Sequence, residues 1–147
     1  MTVSKILVAH DFSEPASRAL RFAALLASAT GAGLELVYVL PELYDGRAEI
    51  ELAIPGSSPG QGERYLKFLD EELRRAAQTT TPELAPKAGY HVVRGDPVKH
   101  IEALAKELGA DLLCVGATGK NAVARALLGS ISQQLLRTSP IAVLVVP

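Results

Sequence analysis

Short apolar runs alternate along the chain with stretches in which apolar residues recur every three or four positions. Ile6-Leu7-Val8-Ala9 ends at His10-Asp11-Phe12-Ser13, after which Ala16, Ala19, Leu20, Ala23, Ala24 and Ala27 follow a helical period. This predicts a strand, a turn and a helix, with Ser13 as the cap, Pro15 tolerated in the first turn, and Gly31 and Gly33 closing the helix. Leu34 to Leu40 predicts a second strand, stopped by Pro41, which cannot donate to a ladder. Tyr65, Leu66, Leu69, Leu73, Ala76 and Ala77 predict a second helix ending before Pro82, and Tyr90 to Val93 a third strand.

Asp96-Pro97 has the form of a helix start, an N-cap carboxylate before a proline, and Ile101, Leu104, Ala105 and Leu108 supply the buried stripe up to Gly109. Leu112 to Val115 and Ile141 to Val146 predict a fourth and a fifth strand, near-continuously apolar as in a parallel sheet covered on both faces. Between them run a glycine-punctuated loop from Gly116 to Gly129 and a helix from Ser130 to Arg137. The alternation gives an α/β fold: an open, doubly wound parallel five-stranded sheet with helices on both faces, Rossmann-like in outline. The long segment from Leu43 to Gly62, with Pro55, Gly56, Pro59 and Gly60, reads as a loop or lid.

Composition narrows the classes. A chain of 147 residues fits one domain, 1–147, and 48% hydrophobic with 21% charged residues is ordinary for a globular protein. A net charge of -1, with basic and acidic residues interspersed, argues against nucleic acid as a partner. The apolar runs are too short to span a bilayer, the opening Met1-Thr2-Val3-Ser4-Lys5 is unlike a signal peptide, and Cys114 has no partner for a disulfide; the expectation is a cytoplasmic protein.

In an open parallel sheet, ligands collect beyond the carboxyl ends of the strands where the direction of winding reverses, here between the first and fourth strands. Asp11 and the run Gly116-Ala117-Thr118-Gly119-Lys120 follow those two strands, so an acidic turn and a glycine-rich turn converge on one crevice. Glycines at 116 and 119 let backbone approach a phosphate and tolerate positive φ, while Gly129-Ser130 opens a helix whose positive end attracts an anion. Ser130 to Gln133 also fits a capping box, which competes for the same hydroxyl.

Common phosphate signatures are missing. Cys114 and Asn121 stand where a P-loop needs glycine and Ser or Thr, and the first turn lacks G-x-G-x-x-G, which disfavours NAD and FAD. His10, His91 and His100 lie on different elements, so no metal site is expected, and Cys114 reads as a buried small hydrophobe. No nucleophile, base and orienter form a recognisable set, so no catalytic residue is assigned.

Gly116-x2-Gly119-x9-Gly129-Ser130 resembles the nucleotide-binding pattern of the ATP-binding branch of the universal stress protein family. Ile6 to Glu14 resembles that family's opening strand and aspartate, Gly95-x-Pro97 the start of its third helix, and Pro140 to Val146 its closing strand, so that the likeness covers all but Leu43 to Gly62. The resemblance implies a fold of the adenine nucleotide alpha hydrolase type and a bound adenine nucleotide, ATP or AMP, with or without Mg2+. It implies that Asp11 sits near the ribose or adenine, that Ala9, Val39 and Val115 line the base, and that Gly116, Gly119, Gly129, Ser130 and Ile131 follow the ribose and phosphates, with Lys120 as a further phosphate contact. It also implies a homodimer, built through the fifth strand. The expected function is a nucleotide-binding stress-response or regulatory module; the alternatives are a slow ATPase or phosphotransferase in the same crevice and a nucleotide-free dimeric interaction module.

Overall fold

The computed structural model describes residues 2–41, 61–120 and 128–147. They form β1 (Lys5–Ala9), α1 (Glu14–Thr30), β2 (Gly33–Leu40), α2 (Gln61–Thr80), β3 (Gly89–Arg94), α3 (Pro97–Leu108), β4 (Leu112–Gly116), α4 (Ser130–Thr138) and β5 (Ala142–Val146), with a short 3-10 turn at Ala85–Lys87. The five strands make one sheet in the order β3-β2-β1-β4-β5, every neighbouring pair parallel. This is the doubly wound arrangement expected from the sequence, and its winding reverses between β1 and β4.

Alternate residues of each central strand feed opposite cores, as the two-residue period requires. Ile6, Val8, Leu34, Leu36 and Cys114 pack with Leu20, Ala23 and Ala27 of α1 and Leu73 and Ala77 of α2. Leu7, Val37, Val39, Leu113 and Val115 pack with Ile101 and Leu104 of α3 and Leu135 of α4. Both faces of β1 and β4 are therefore dry, which is why those strands read as unbroken apolar runs.

The helix ends follow local chemistry. Ser13 Oγ accepts the Ala16 N–H at 3.2 Å, and Gly31, at φ 76°, closes α1 by donating to the Ala27 carbonyl at 2.8 Å. Asp96 accepts the Lys99 N–H at 2.9 Å, and Gly109, at φ 64°, ends α3. At the far end of the sheet Asp111 Oδ2 accepts from Ser4 N and Ser4 Oγ, both at 2.7 Å, and from Lys5 N at 3.0 Å. These hydrogen bonds hold the Asp111 carboxyl below its ordinary value and lock the start of β4 to that of β1.

Several boundaries differ from the sequence reading. Gly33 begins β2 instead of closing α1, because the left-handed residue that satisfies the last carbonyls is Gly31. Gln61 and Gly62 belong to α2, not to the preceding loop, while residues 43–60 of that proposed lid lie outside the described residues. The capping box is absent: Gly129 is the N-cap of α4, no side chain among the described residues caps it, and the Gln133 N–H bonds the Gly129 carbonyl at 2.9 Å. Ser130 stands one position inside the helix, past the place from which a hydroxyl caps. Among the described residues no helix is long and apolar enough to cross a membrane.

Candidate functional site

Beyond the carboxyl ends of β1 and β4 lies a cleft of about 410 Å³, bounded by the ends of β1, β2 and β4, the turn into α1, and the first turns of α3 and α4. Its size is that of an ordinary small-molecule pocket.

One wall is the turn from β1 to α1. His10 is 3% exposed and its Nδ1 accepts the Phe12 N–H at 3.1 Å; one residue on, Asp11 Oδ1 accepts the Ser13 N–H at 3.0 Å. Two successive side-chain-to-backbone bonds thus define the turn. Between them Phe12 adopts φ 65°, a left-handed conformation that costs a non-glycine residue on the order of 1–3 kcal/mol. Its ring is clamped by neighbours, edge-on to His10 at 5.6 Å between centroids and tilted on Tyr38 at 4.9 Å. Burial, opposed by the nearby Asp11 charge, lowers the His10 pKa below 6.5. A neutral ring whose Nδ1 accepts carries its hydrogen on Nε2, which lies 3.5 Å from Ser17 Oγ. Burial, and then Tyr65 and Asp11, push the Tyr38 phenol up, so it remains a neutral hydroxyl on the cleft.

The facing wall is the segment after β4. The Ala117 N–H donates to the Val146 carbonyl at 2.6 Å, and the Ala117 carbonyl accepts both the Gly129 N–H at 2.6 Å and the Ser132 hydroxyl at 2.8 Å. Ser132 is 3% exposed and also lies 3.1 Å from the Gly129 carbonyl, so its buried hydroxyl fastens both limbs of the loop at their base. Residues 121–127 of that loop lie outside the described residues. Ser130 and Ile131 line the cleft, so α4 turns its uncapped N-terminus, with its positive dipole end, toward it.

The two walls are joined by one side chain. While Asp11 Oδ1 holds its own turn, Oδ2 accepts the Lys120 N–H at 3.1 Å across the cleft mouth.

The glycines have other reasons than positive φ. The left-handed glycines among the described residues are Gly31, Gly95 and Gly109, and neither Gly116 nor Gly119 is one. A Cβ on Gly116 would stand 2.8 Å from Ala16 N and from the Pro15 carbonyl carbon, so glycine there lets β4 abut the first turn of α1. A Cβ on Gly119 would stand 2.9 Å from Asp11 Oδ2, so glycine there admits the bridging carboxylate. At Gly129 the nearest atoms would be 3.5 Å away, ordinary contact.

Ala9, Asp11, Val39, Val115, Gly116, Gly119, Lys120, Gly129, Ser130 and Ile131 all line this cleft. Val39, Val115 and Ile101 give it an apolar floor on the α3 side; Asp11, Lys120 and the α4 N-terminus give it a polar rim. Sequence reasoning missed His10, Tyr38, Ile101 and Ser132 as lining residues. Ile101 and Ser132 carried a signal, a place on the buried stripe of a helix, but its aim depends on which helix end meets the strand crossing. The other histidines stand apart, His91 Nε2 2.7 Å from Glu35 Oε2 and His100 Nδ1 2.9 Å from the Asp96 carbonyl. Among the described residues no three His, Cys, Asp or Glu side chains gather for a metal.

Known proteins share this architecture. The family model described as universal stress protein family matches residues 2–147. A universal stress protein of Staphylococcus haemolyticus is 32% identical over 148 residues, covering 99% of this chain and 86% of its own. The solved structure of the universal stress protein UspA from Lactobacillus plantarum superposes with a TM-score of 0.74 at 26% identity, covering 100% of this chain and 99% of its own. A universal stress protein solved in complex with cAMP superposes with a TM-score of 0.67 at 25% identity, over 100% of this chain and 99% of its own. With the family pattern running the length of a sheet wound in this order, the chain belongs to the universal stress protein family.

Proposed function

We propose that the chain is a binding module for an adenine nucleotide, ATP or AMP, whose occupancy regulates the protein's conformation or its choice of partner in a stress response. The observation that carries this reading is the union of an apolar floor with an uncapped helix N-terminus at the β1/β4 switch point. A planar base finds Ala9, Val39 and Val115; an anionic phosphate finds the first turn of α4 and Lys120. The relative solved with cAMP supports the ligand class.

A magnesium ion would arrive with the phosphates, because Asp11 is the carboxylate among the described lining residues and both its oxygens already accept backbone N–H groups. The same economy weakens the reading of the chain as an ATPase. His10 Nδ1 is engaged by Phe12, and each Asp11 oxygen already accepts an amide, which makes both groups weaker bases toward an attacking water. The homodimer, built on the β5 edge that pairs with no strand among the described residues, belongs to this reading too: Ala142–Val146 is wholly apolar and pairs with β4 on its other side.

The test is to purify the protein without added nucleotide, denature it, and identify the released small molecule by mass spectrometry. An adenine nucleotide near one equivalent per chain supports the reading. Protein that releases none, and that gains no thermal stability from added ATP or AMP, rejects it.

A further inference from the structure

We infer that His10 is a positioning residue for the cleft: its neutral imidazole accepts the Phe12 N–H, holds the β1–α1 turn, and through Asp11 sets the glycine-rich loop against the ligand, so nucleotide is released as the ring is protonated. The inference rests on the nucleotide reading for its ligand and on the turn's geometry for its mechanism.

The geometry is a chain of three contacts. His10 Nδ1 accepts the Phe12 N–H at 3.1 Å, Phe12 is held at φ 65° between His10 and Tyr38, and Asp11, between those two residues, reaches Lys120 N at 3.1 Å with Oδ2. The left-handed residue opposes the turn's own preference, so the turn depends on those bonds. A side chain that accepts the N–H two residues on is the work usually done by Asn or Asp. An imidazole does the same work only while Nδ1 keeps its lone pair. Protonation converts Nδ1 to a donor facing the Phe12 N–H, and the clamp becomes a repulsion between two donors.

The surroundings set the direction of the response. From its own turn His10 faces Asp11; α1 presents the uncharged Ser17 hydroxyl; β2 accepts the backbone N–H of His10 at the Val37 carbonyl, 2.9 Å away, and presents, across Phe12, the Tyr38 ring. Burial outweighs the Asp11 charge, so the ring stays neutral at neutral pH and charges below the ordinary histidine range. The cleft is then competent at neutral pH and loosened in acid.

The experiment measures the affinity for AMP by calorimetry between about pH 7.5 and about pH 5 on wild type, His10→Asn and His10→Phe. Asn keeps an acceptor at the Nδ1 position without a proton to gain, and sharing the titration of the AMP phosphate it serves as the reference. Wild type is expected to lose affinity in acid more steeply than His10→Asn, while His10→Phe is weak at both ends. Parallel pH profiles for wild type and His10→Asn overturn the inference. A ligand-free readout separates that failure from the failure of the nucleotide reading. Nitrogen NMR of the imidazole is expected to show the Nε2–H tautomer, and hydrogen exchange at the Phe12 amide to accelerate as the ring protonates. A ring bearing its proton on Nδ1, or a Phe12 amide indifferent to the titration, overturns it even if nucleotide binds.

Discussion

Asp11 and Lys120, which follow different strands 109 residues apart, meet where Oδ2 of the carboxylate accepts the lysine's backbone N–H at 3.1 Å. What bears on the aspartate is therefore the lysine's backbone, and the bond makes two turns one rigid mouth. The carboxylate's other oxygen holds its own turn through Ser13.

Asp11→Ala removes both bonds at once. A hydrogen bond to a charged group contributes about 1.5–3 kcal/mol, and these lie near solvent, so the expected loss of stability is about 1–3 kcal/mol with at least tenfold weaker nucleotide binding. Urea unfolding and calorimetry on the same preparation measure the two. Wild-type affinity in the alanine variant shows that the bridge does not shape the site.

Gly116→Ala and Gly119→Ala separate fold from site. At 116 the new methyl meets helix backbone at 2.8 Å, which cannot step aside, so the expectation is about 1–3 kcal/mol of destabilisation with or without ligand. At 119 it meets the end of the Asp11 side chain at 2.9 Å, which can turn away. The melting temperature should then fall less than at 116, by no more than the loss of the Asp11–Lys120 bond, while affinity falls by about tenfold. The reverse order of effects in melting curves and titrations contradicts these roles.

The winding order and the strands were legible because β1 and β4, buried on both faces, leave unbroken apolar runs, and because Asp96-Pro97 and Gly109 mark helix ends by local chemistry. The meeting of the turns after β1 and β4 was legible from the strand pattern and the glycine-rich run, whereas Ala9, Val39, Val115 and Ile131 entered through the family resemblance. What those glycines accommodate was not legible. Contact with Pro15 and Ala16, or with Asp11, is made by residues about a hundred positions away, and spacing carries no trace of it. Ser130 looked like the cap because a serine precedes a helix and a glutamine follows at the right interval, yet the pinch at Ala117 starts the helix one residue earlier, at Gly129.

Ser130→Ala and Ser132→Ala should differ for that reason. Ser130 caps nothing, so its loss leaves stability within about 0.5 kcal/mol. Ser132 is buried, and removing its hydroxyl leaves the Ala117 carbonyl with one donor fewer, a cost of about 1–3 kcal/mol. Thermal melts of the pair check the ranking, and equal losses would restore the capping role to Ser130.

Acid should weaken the fold through His10. Its folded pKa lies below 6.5, so as pH falls past 6.5 the unfolded chain binds a proton that the native chain refuses, and stability declines until the native ring also charges. His10→Asn should remove that part of the decline. Urea midpoints that fall identically for both proteins below pH 6.5 would show that the histidine plays no part.

Cys114 is buried in β4 and burial pushes its thiol up to about 12, so it is a packed hydrophobe without thiolate character. A thiol reagent at neutral pH should label it at the rate of unfolding and at full rate in denaturant. Rapid labelling of the native protein contradicts that placement.

Whether the β1/β4 cleft holds an adenine nucleotide is decided by calorimetric titration of nucleotide-free wild-type protein with AMP and with ATP. Saturable binding of at least one of them is expected near one equivalent per chain, reduced in Gly119→Ala and in Asp11→Ala proteins that remain folded. Absence of binding to both nucleotides at millimolar concentration, or binding that neither substitution alters, contradicts it.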